Sequence, residues 1–455
     1  MHKYTLFMRK ILTFRAGFKI LSSTMLTPLA QELNKTLEGT TPGALLSNLG
    51  VRLYFPKGII AQSAEAKKLG KVANGTIGMT VMNGSPVVLP SIQKNAPDLS
   101  ARELVAYAPT AGNLDLRNLW KEKIILKNPS LKGKNFSLPV VVSGLTAGIS
   151  LLADLFLDEK KPLLAANPSW DNYILITEAR RNAEFKQFNM FKDEKFDFDS
   201  FEKAMRKEAK SGSVRVILNF PQNPSGYSPT SSEAKKIVAL VKELADNGTK
   251  VMVWCDDAYF GLDFEDDIER QSLFAYLADL SPNILAAKID GPTKEDFVWG
   301  FRCGFLTFSC KGLTDEQYDA LNKKLMGAIR SSISCCSTPP QSLLLRAFQD
   351  PALEEQKYFF RSVLERRYKL VKNFVKTHKS NNLYALPFNS GYFMSFHLNN
   401  IDSETLRQKL LNEKGIGTIS IDEKTLRVAF SSIDEDKIET VYNAIYETAE
   451  ELARA

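Results

Sequence analysis

The stretch Gly291-Pro292-Thr293-Lys294-Glu295-Asp296-Phe297-Val298-Trp299-Gly300-Phe301-Arg302-Cys303-Gly304 puts a lysine in a turn of small residues and a glycine-flanked arginine shortly after it. Apolar runs bracket it, Ile284–Ala287 before and Phe305–Phe308 after. Both read as buried strands. A cation between buried strands is unfavourable unless it is paired or neutralised. An aldehyde would neutralise Lys294 as a Schiff base, and a phosphate would pair with Arg302. A loop lysine and a structural arginine explain the same stretch equally well, so the rest of the chain has to decide.

Upstream, four segments share one grammar. Leu138–Val142 reads as a strand, runs into Ser143-Gly144-Leu145-Thr146-Ala147-Gly148 and is followed by a helix over Ile149–Phe156. Strand, small-residue turn and helix N-terminus together make an anion site, because free amides and the positive helix end favour phosphate. The turn is not GxGxxG, so dinucleotide binding has little support. Pro162–Ala166 is a strand ending before Trp170, a residue that is either core or a stacking platform. Val214–Asn219 meets the proline-flanked turn around Asn223, and the helix Ser231–Asn247 follows. Val251–Trp254 ends at Asp256 and Asp257; Asp257 fits a helix N-cap, while Asp256 sits close enough to the strand end to need a buried partner. Near-continuous Val/Ile/Leu strands alternating with helices predict an α/β fold with a mostly parallel sheet covered on both faces. Ligands gather at the carboxyl ends of such strands. Gly144, Leu145, Thr146, Trp170, Asn223, Asp256 and Lys294 all fall there, and that convergence is the strongest purely physical inference.

Towards the N-terminus, residues 27–48 read as an arm with a short helix and Ala61–Leu69 as a helix. The run 73–79, with Gly75 and Gly78, is either a glycine turn or a backbone that approaches a ligand. Val87–Leu89 reads as a short strand, and Tyr107–Gly112 as a loop before the helix Asn113–Ile125. Beyond Arg302, Asp315–Ser331, Gln341–Asp350 and Leu353–Thr377 read as helices. From Leu386 strand and helix alternate in a smaller α+β part. The expected domains are residues 91–340 (large), 341–455 (small) and 25–90 (arm, partly joined to the small domain).

The chain has 455 residues, 44% hydrophobic and 24% charged, which suits two or more soluble globular domains. No apolar run is long enough to span a bilayer. Five cysteines without a CxxC pair read as reduced thiols, and His2, His378 and His397 are too scattered for a metal or triad. The net charge of +7 is misleading, since Lys3, Arg9, Lys10, Arg15 and Lys19 crowd residues 1–24 with no acid. A nucleic-acid face is therefore poorly supported. The basic leader is a transit-peptide-like segment or an upstream extension with Met25 as the start. The expected location is the cytoplasm, or the mitochondrial matrix if the leader targets.

With Asn223-Pro-Ser-Gly, Asp256-x-Ala-Tyr259, Lys294 followed by Gly300-x-Arg302-x-Gly304, and Arg427 in Leu-Arg-Val-Ala-Phe, the chain resembles class I/II aminotransferases. These are pyridoxal-phosphate enzymes of fold type I, and the match is closest to the aspartate-aminotransferase-like members. The resemblance covers most of residues 73–435 and implies a seven-stranded-type sheet plus a smaller α+β domain. It implies that Lys294 is the Schiff-base lysine and proton shuttle. Asp256 would keep the pyridine nitrogen protonated, Tyr259 and Asn223 would hydrogen-bond the ring hydroxyl, and Trp170 would stack on the ring. Gly144, Leu145, Thr146, Thr293 and Arg302 would hold the phosphate, and Tyr107 would reach the phosphate of the other subunit of a homodimer. Arg427 would grip the substrate α-carboxylate, with Gly78 offering an amide. Arg330 would cross from the partner subunit and select aspartate or glutamate; a helix-capping or pairing role for it is equally open. Relatives often carry a serine three positions before the lysine, where this chain has Gly291. The implied activity is amino transfer between an L-amino acid and a 2-oxo acid. A carbon–sulfur β-lyase on the same scaffold, or a general or aromatic aminotransferase, fits the same motifs. A pyridoxal-phosphate-binding transcriptional regulator would need a winged-helix segment that the residues before the arm are too few to form.

Overall fold

In the computed structural model seven strands form the central sheet: β1 (Val140–Val142), β2 (Leu163–Asn167), β3 (Phe185–Asn189), β4 (Ser213–Asn219), β5 (Lys250–Asp256), β6 (Ile284–Asp290) and β7 (Gly304–Ser309). Residues 26–454 are described, apart from 39, 41–42, 44–45 and 55–57, so the basic leader lies outside the described residues. The order across the sheet is β1-β7-β6-β5-β4-β2-β3. β7 runs antiparallel to both of its neighbours, and the other pairings are parallel. The fold is α/β, with a mostly parallel sheet between helices.

Side chains alternate along each strand, so each strand feeds two cores. Val251, Val253 and Cys255 enter one, Met252 and Trp254 the other. The alternation sorts the charges at the strand ends. Asp256 continues the Met252–Trp254 face, whereas Lys288, paired with Cys255 in the β5–β6 register, points to the opposite side.

Helix α3 (Leu145–Phe156) starts directly after Gly144, whose φ of +82° turns the chain off β1. The sequence reading began it later, at Ile149. Helix α5 (Ser231–Asp246) opens with a reciprocal capping box between Thr230 and Glu233, worth about 1 kcal/mol. Its buried stripe, Ala234, Ile237, Leu240, Val241 and Leu244, follows helical spacing. Several elements escaped the sequence reading, among them edge strand β3 and helix α4 (Phe198–Ala209). The strand expected at Val87–Leu89 is not formed. Val81–Met82 and Ser85–Pro86 pair instead around Asn83-Gly84, both at positive φ, and Pro90 then starts a short helix. Asn-Gly sets a two-residue hairpin, and proline favours a first helical position.

A second sheet holds β8 (Leu383–Ala385), β9 (Met394–Leu398), β10 (Ile419–Asp422) and β11 (Thr425–Val428) in the antiparallel order β8-β9-β11-β10. Helices α8 (Ser403–Lys414) and α9 (Ile438–Arg454) cover it with Leu406, Leu410, Val441 and Ile445. Ala73–Asn74 pairs with Ile416–Gly417, joining the N-terminal segment to this body. Helix α7 (Leu353–Thr377) belongs to both cores: Leu353 and Leu364 pack with the first, Tyr368, Val371 and Phe374 with the second. On β11, Leu426 and Val428 enter the core, so Arg427 faces the other way, towards the seven-stranded sheet.

Candidate active site

A cavity of about 390 Å³ opens where the carboxyl ends of the parallel strands meet β11. Leu145, Thr146, Trp170 and Asn223 line it from the sheet side, with Asp256, Tyr259 and Lys294. Gly78 and Arg427 line it from the N-terminal segment and the second sheet.

Asp256 sits at the cavity floor and is 3% exposed. One carboxylate oxygen, Oδ2, accepts the Tyr173 hydroxyl, while Oδ1 has no partner among the described residues. Burial pushes its pKa up to about 6, against the Tyr173 hydrogen bond that favours the ionised form. A buried carboxylate oxygen left bare is unfavourable, so this one is built for a ligand donor. Tyr173 escaped the sequence reading. Its signal was local, an aromatic three residues after Trp170, on the same short helical turn.

One wall carries groups that suit an anion. The first amides of α3 have no side-chain cap, and the Arg302 guanidinium lies over Gly144, where any Cβ would collide with it. Arg302 is exposed, has left-handed backbone (φ +48°) and donates Nη1 to the Trp299 carbonyl at 3.1 Å. Gly291 leaves no space for the serine seen in relatives: a Cβ there would lie 2.9 Å from Gly304 Cα and 3.1 Å from the Cys303 carbonyl. Thr293 does not line the cavity; it is buried, and its hydroxyl faces the Cys303 carbonyl at 3.5 Å.

The opposite wall holds a second cation. Arg427 is 2% exposed, donates to Asn223 Oδ1 at 2.9 Å and to the Thr76 carbonyl at 3.0 Å, and lies 4.3 Å from the Phe393 ring centre. Among the described residues no carboxylate forms a salt bridge with it, and Nε is unpartnered. Burial lowers its pKa to about 10. Asp171, next to Trp170, is the acid whose field reaches it; burial raises that carboxyl. A buried, unpaired guanidinium is a site for a carboxylate. Thr76, Phe393 and Asp171 were not foreseen, because each acts through the backbone, a ring face or a field.

Lys294 lies on α6 (Pro292–Glu295), with its Nζ 5.2 Å from the Tyr259 ring centre. Burial, helped by Arg302, lowers its pKa to about 8, so about a tenth of the amine is neutral at pH 7, far more than for an ordinary lysine. Lys288 is the contrasting lysine. It is 1% exposed, ion-paired with Asp257 and 3.2 Å from Asp290, and these acids raise its pKa although burial alone would lower it. Asp257 is therefore a buried ion-pair partner that also accepts from Ser272 Oγ, at 2.6 Å, rather than the helix cap that the sequence reading favoured. The Tyr259 hydroxyl, pushed up by burial, would lie 3.7 Å from a Cβ at Gly78. Trp170 stands edge-on to Tyr173, ring centres 5.4 Å apart.

Besides Thr293, the expected residues Gly144 and Arg302 are outside the cavity lining, and Tyr107 and Arg330 lie away from it within one chain. Tyr107 is 94% exposed. Arg330 is exposed at the end of the helix Asp315–Ser332 and contacts Ser334 Oγ. The residues that do converge supply an acceptor for a ring N–H, a partly neutral amine, a phosphate cradle and a carboxylate clamp. That set fits pyridoxal phosphate with an amino acid beside it.

The family described as "Aminotransferase class I and II" matches residues 78–445. The probable N-acetyl-LL-diaminopimelate aminotransferase of Bacillus subtilis (strain 168) is 29% identical over 147 residues, 31% of this chain and 32% of that protein. The cytoplasmic isozyme 2 of aspartate aminotransferase from Arabidopsis thaliana is 25% identical over 236 residues, 50% of this chain and 55% of that protein. The matches thus span about a third and about half the length of these curated relatives. In three dimensions, an aminotransferase from Anaerococcus prevotii DSM 20548 superposes with a TM-score of 0.78 at 22% identity, covering 89% of this chain and 99% of that one.

Proposed function

The chain belongs to the class I and II aminotransferase family, and from that premise we propose that it is a pyridoxal-phosphate-dependent aminotransferase acting on an L-amino acid and a 2-oxo acid. The observation that carries this reading is the bare, buried Oδ1 of Asp256 facing the same cavity as the Lys294 amine, between the uncapped start of α3 and the unpaired Arg427.

Pyridoxal phosphate, when bound, supplies an aldehyde that takes up the amino group and a protonated ring that accepts electron density from the substrate Cα. The residues of this chain do the rest. Asp256 Oδ1 holds the proton on the ring nitrogen, and Tyr173 fixes the carboxylate from behind. The amides of Leu145 and Thr146, with Gly144 and Arg302, bind the phosphate. Trp170 stacks on the ring, and Asn223 and Tyr259 donate to its hydroxyl. Arg427, already oriented by Asn223 and Thr76, takes the substrate α-carboxylate as a fork, and the Gly78 amide supports it. With its lowered pKa, Lys294 would be the base that takes the proton from the substrate Cα and the acid that gives it back during the transfer. Thr293 takes no part in this reading.

Aspartate or glutamate is the proposed donor, selected by Arg330 of a second copy in a homodimer that also exchanges Tyr107. The exposure of both side chains supports that reading, as does the aspartate aminotransferase among the relatives. Residues 91–340 are read as the cofactor domain and 341–455 as the small domain. Among the described residues no helix is long and apolar enough to cross a membrane. The proposed compartment is the cytoplasm, or the mitochondrial matrix if residues 1–24 target there; neither a membrane nor a nucleic-acid partner is proposed. Borohydride reduction of the loaded protein followed by peptide mapping tests the site. The pyridoxyl group is expected on Lys294; finding it on Lys288 or Lys311 would overturn the assignment.

A further inference from the structure

Four charges lie directly behind Lys294, Asp296 and Lys357 buried and Glu295 and Lys127 half-buried. Glu295, the next residue, accepts Lys127 Nζ at 2.6 Å and Lys357 Nζ at 3.2 Å on the same oxygen. Lys357 is also 3.0 Å from Asp296 Oδ1. Two acids and two ammoniums make a neutral set, which is the condition for keeping such groups out of water. Lys127 ends α2 (Leu114–Lys127), whereas Lys357 lies on α7, the helix shared by both cores. The Tyr392 hydroxyl, from the approach to β9, donates to the Lys294 carbonyl at 2.9 Å. Gly261 packs beneath, with Glu295 Oε1 3.2 Å from where its Cβ would be.

The quartet is not needed to pair Lys294. The groups acting on the Lys294 amine are Asp256, Tyr259 and Arg302, none of them in the quartet. What the quartet grips is the chain on the C-terminal side of Lys294, in a helix only four residues long that cannot hold itself. We infer that Glu295 and Asp296, clamped by Lys127 and Lys357, are positioning residues that fix the Lys294 backbone against both bodies and so keep its amine pointing into the cavity. The inference rests on the reading of Lys294 as the reactive amine. Misplacing a reacting group by about 1 Å lowers rate up to about a hundredfold, so the clamp bears on kcat rather than on substrate binding.

The test compares wild type with Glu295→Gln and with the double variant Glu295→Gln/Lys127→Met, in which the two lost charges cancel and the Lys127 ammonium is not left unpaired, so the experiment stays open if Glu295→Gln alone does not fold. The full chain is stripped of carbonyl compounds with hydroxylamine. Competitive trace labelling with acetic anhydride across pH, with peptide mapping, then reads the titration of Lys294 itself, whatever its cofactor. A released amine reaches water, so its midpoint is expected to rise from about 8 towards the ordinary lysine value of about 10.4. In reloaded protein, kcat is expected to fall about tenfold with KM within about twofold. A midpoint that falls in Glu295→Gln would show only the field of a lost carboxylate. An unmoved midpoint with a lower Tm would show a purely structural clamp. Either result overturns the inference, and neither depends on where borohydride places the pyridoxyl group.

Discussion

Asp256 carries most of the chemical information at the residue scale. Its folded pKa, about 6, lies above the ordinary carboxylate value of about 3.9 because burial penalises the charge. The sign follows from proton linkage. A raised folded pKa adds stability below about pH 4, and that contribution is lost as pH rises through about 6, on the order of 3 kcal/mol in all. Asp256→Asn carries no charge to bury. Cofactor-free Asp256→Asn is therefore expected to match wild type near pH 4 and to exceed its stability at pH 7.5. Calorimetric Tm values at the two pH values check this; a difference independent of pH would mean that Asp256 is not a buried, bare carboxylate. Lys294 and Asp256 were legible in the sequence because each follows a run of apolar residues that can only be a buried strand. Tyr173, Thr76 and Phe393 were not, since a hydroxyl behind a carboxylate, a backbone carbonyl and a ring face leave no spacing pattern.

At the scale of elements, the lysine turn is shaped by close backbone approach. Gly291, Gly304 and Leu145 meet so tightly that a side chain at Gly291 has nowhere to go. Restoring the serine of relatives is therefore expected to harm rather than help. Gly291→Ser should destabilise the cofactor-free protein by roughly 1–3 kcal/mol through overpacking, read as a lower Tm, and weaken retention of the cofactor. An unchanged Tm with tighter cofactor binding would contradict this. The parallel strands were readable from their unbroken apolar runs, including the end of β5 at Asp256. Strand β3, Phe-Lys-Gln-Phe-Asn, was not, because an edge strand is only half buried and alternates weakly. The false strand at Val87–Leu89 came from counting apolar residues without the turn chemistry of Asn83-Gly84 and Pro90. Asp257 was misjudged because its partner, Lys288, is distant in sequence and adjacent only through the β5–β6 register.

For the whole molecule, one chain holds a cavity with a single buried guanidinium for carboxylate, while Arg330 and Tyr107 stand exposed outside it. If a second copy brings Arg330 in, Arg330→Leu should lower kcat/KM for aspartate at least about tenfold more than for alanine or phenylalanine, since a lost fork is felt only by the dicarboxylate. Equal losses across the three would leave Arg330 a helix-end residue and favour a general or aromatic aminotransferase. Amino transfer itself is tested most directly by half-reactions. Purified, cofactor-loaded protein is mixed with each L-amino acid in turn, and the cofactor absorbance and released products are followed. The expected result is one stoichiometric turnover that yields a 2-oxo acid and stalls until another 2-oxo acid restores the original absorbance. Continuous release of ammonia and pyruvate from a cysteine conjugate, with no acceptor present, would contradict amino transfer and identify a lyase.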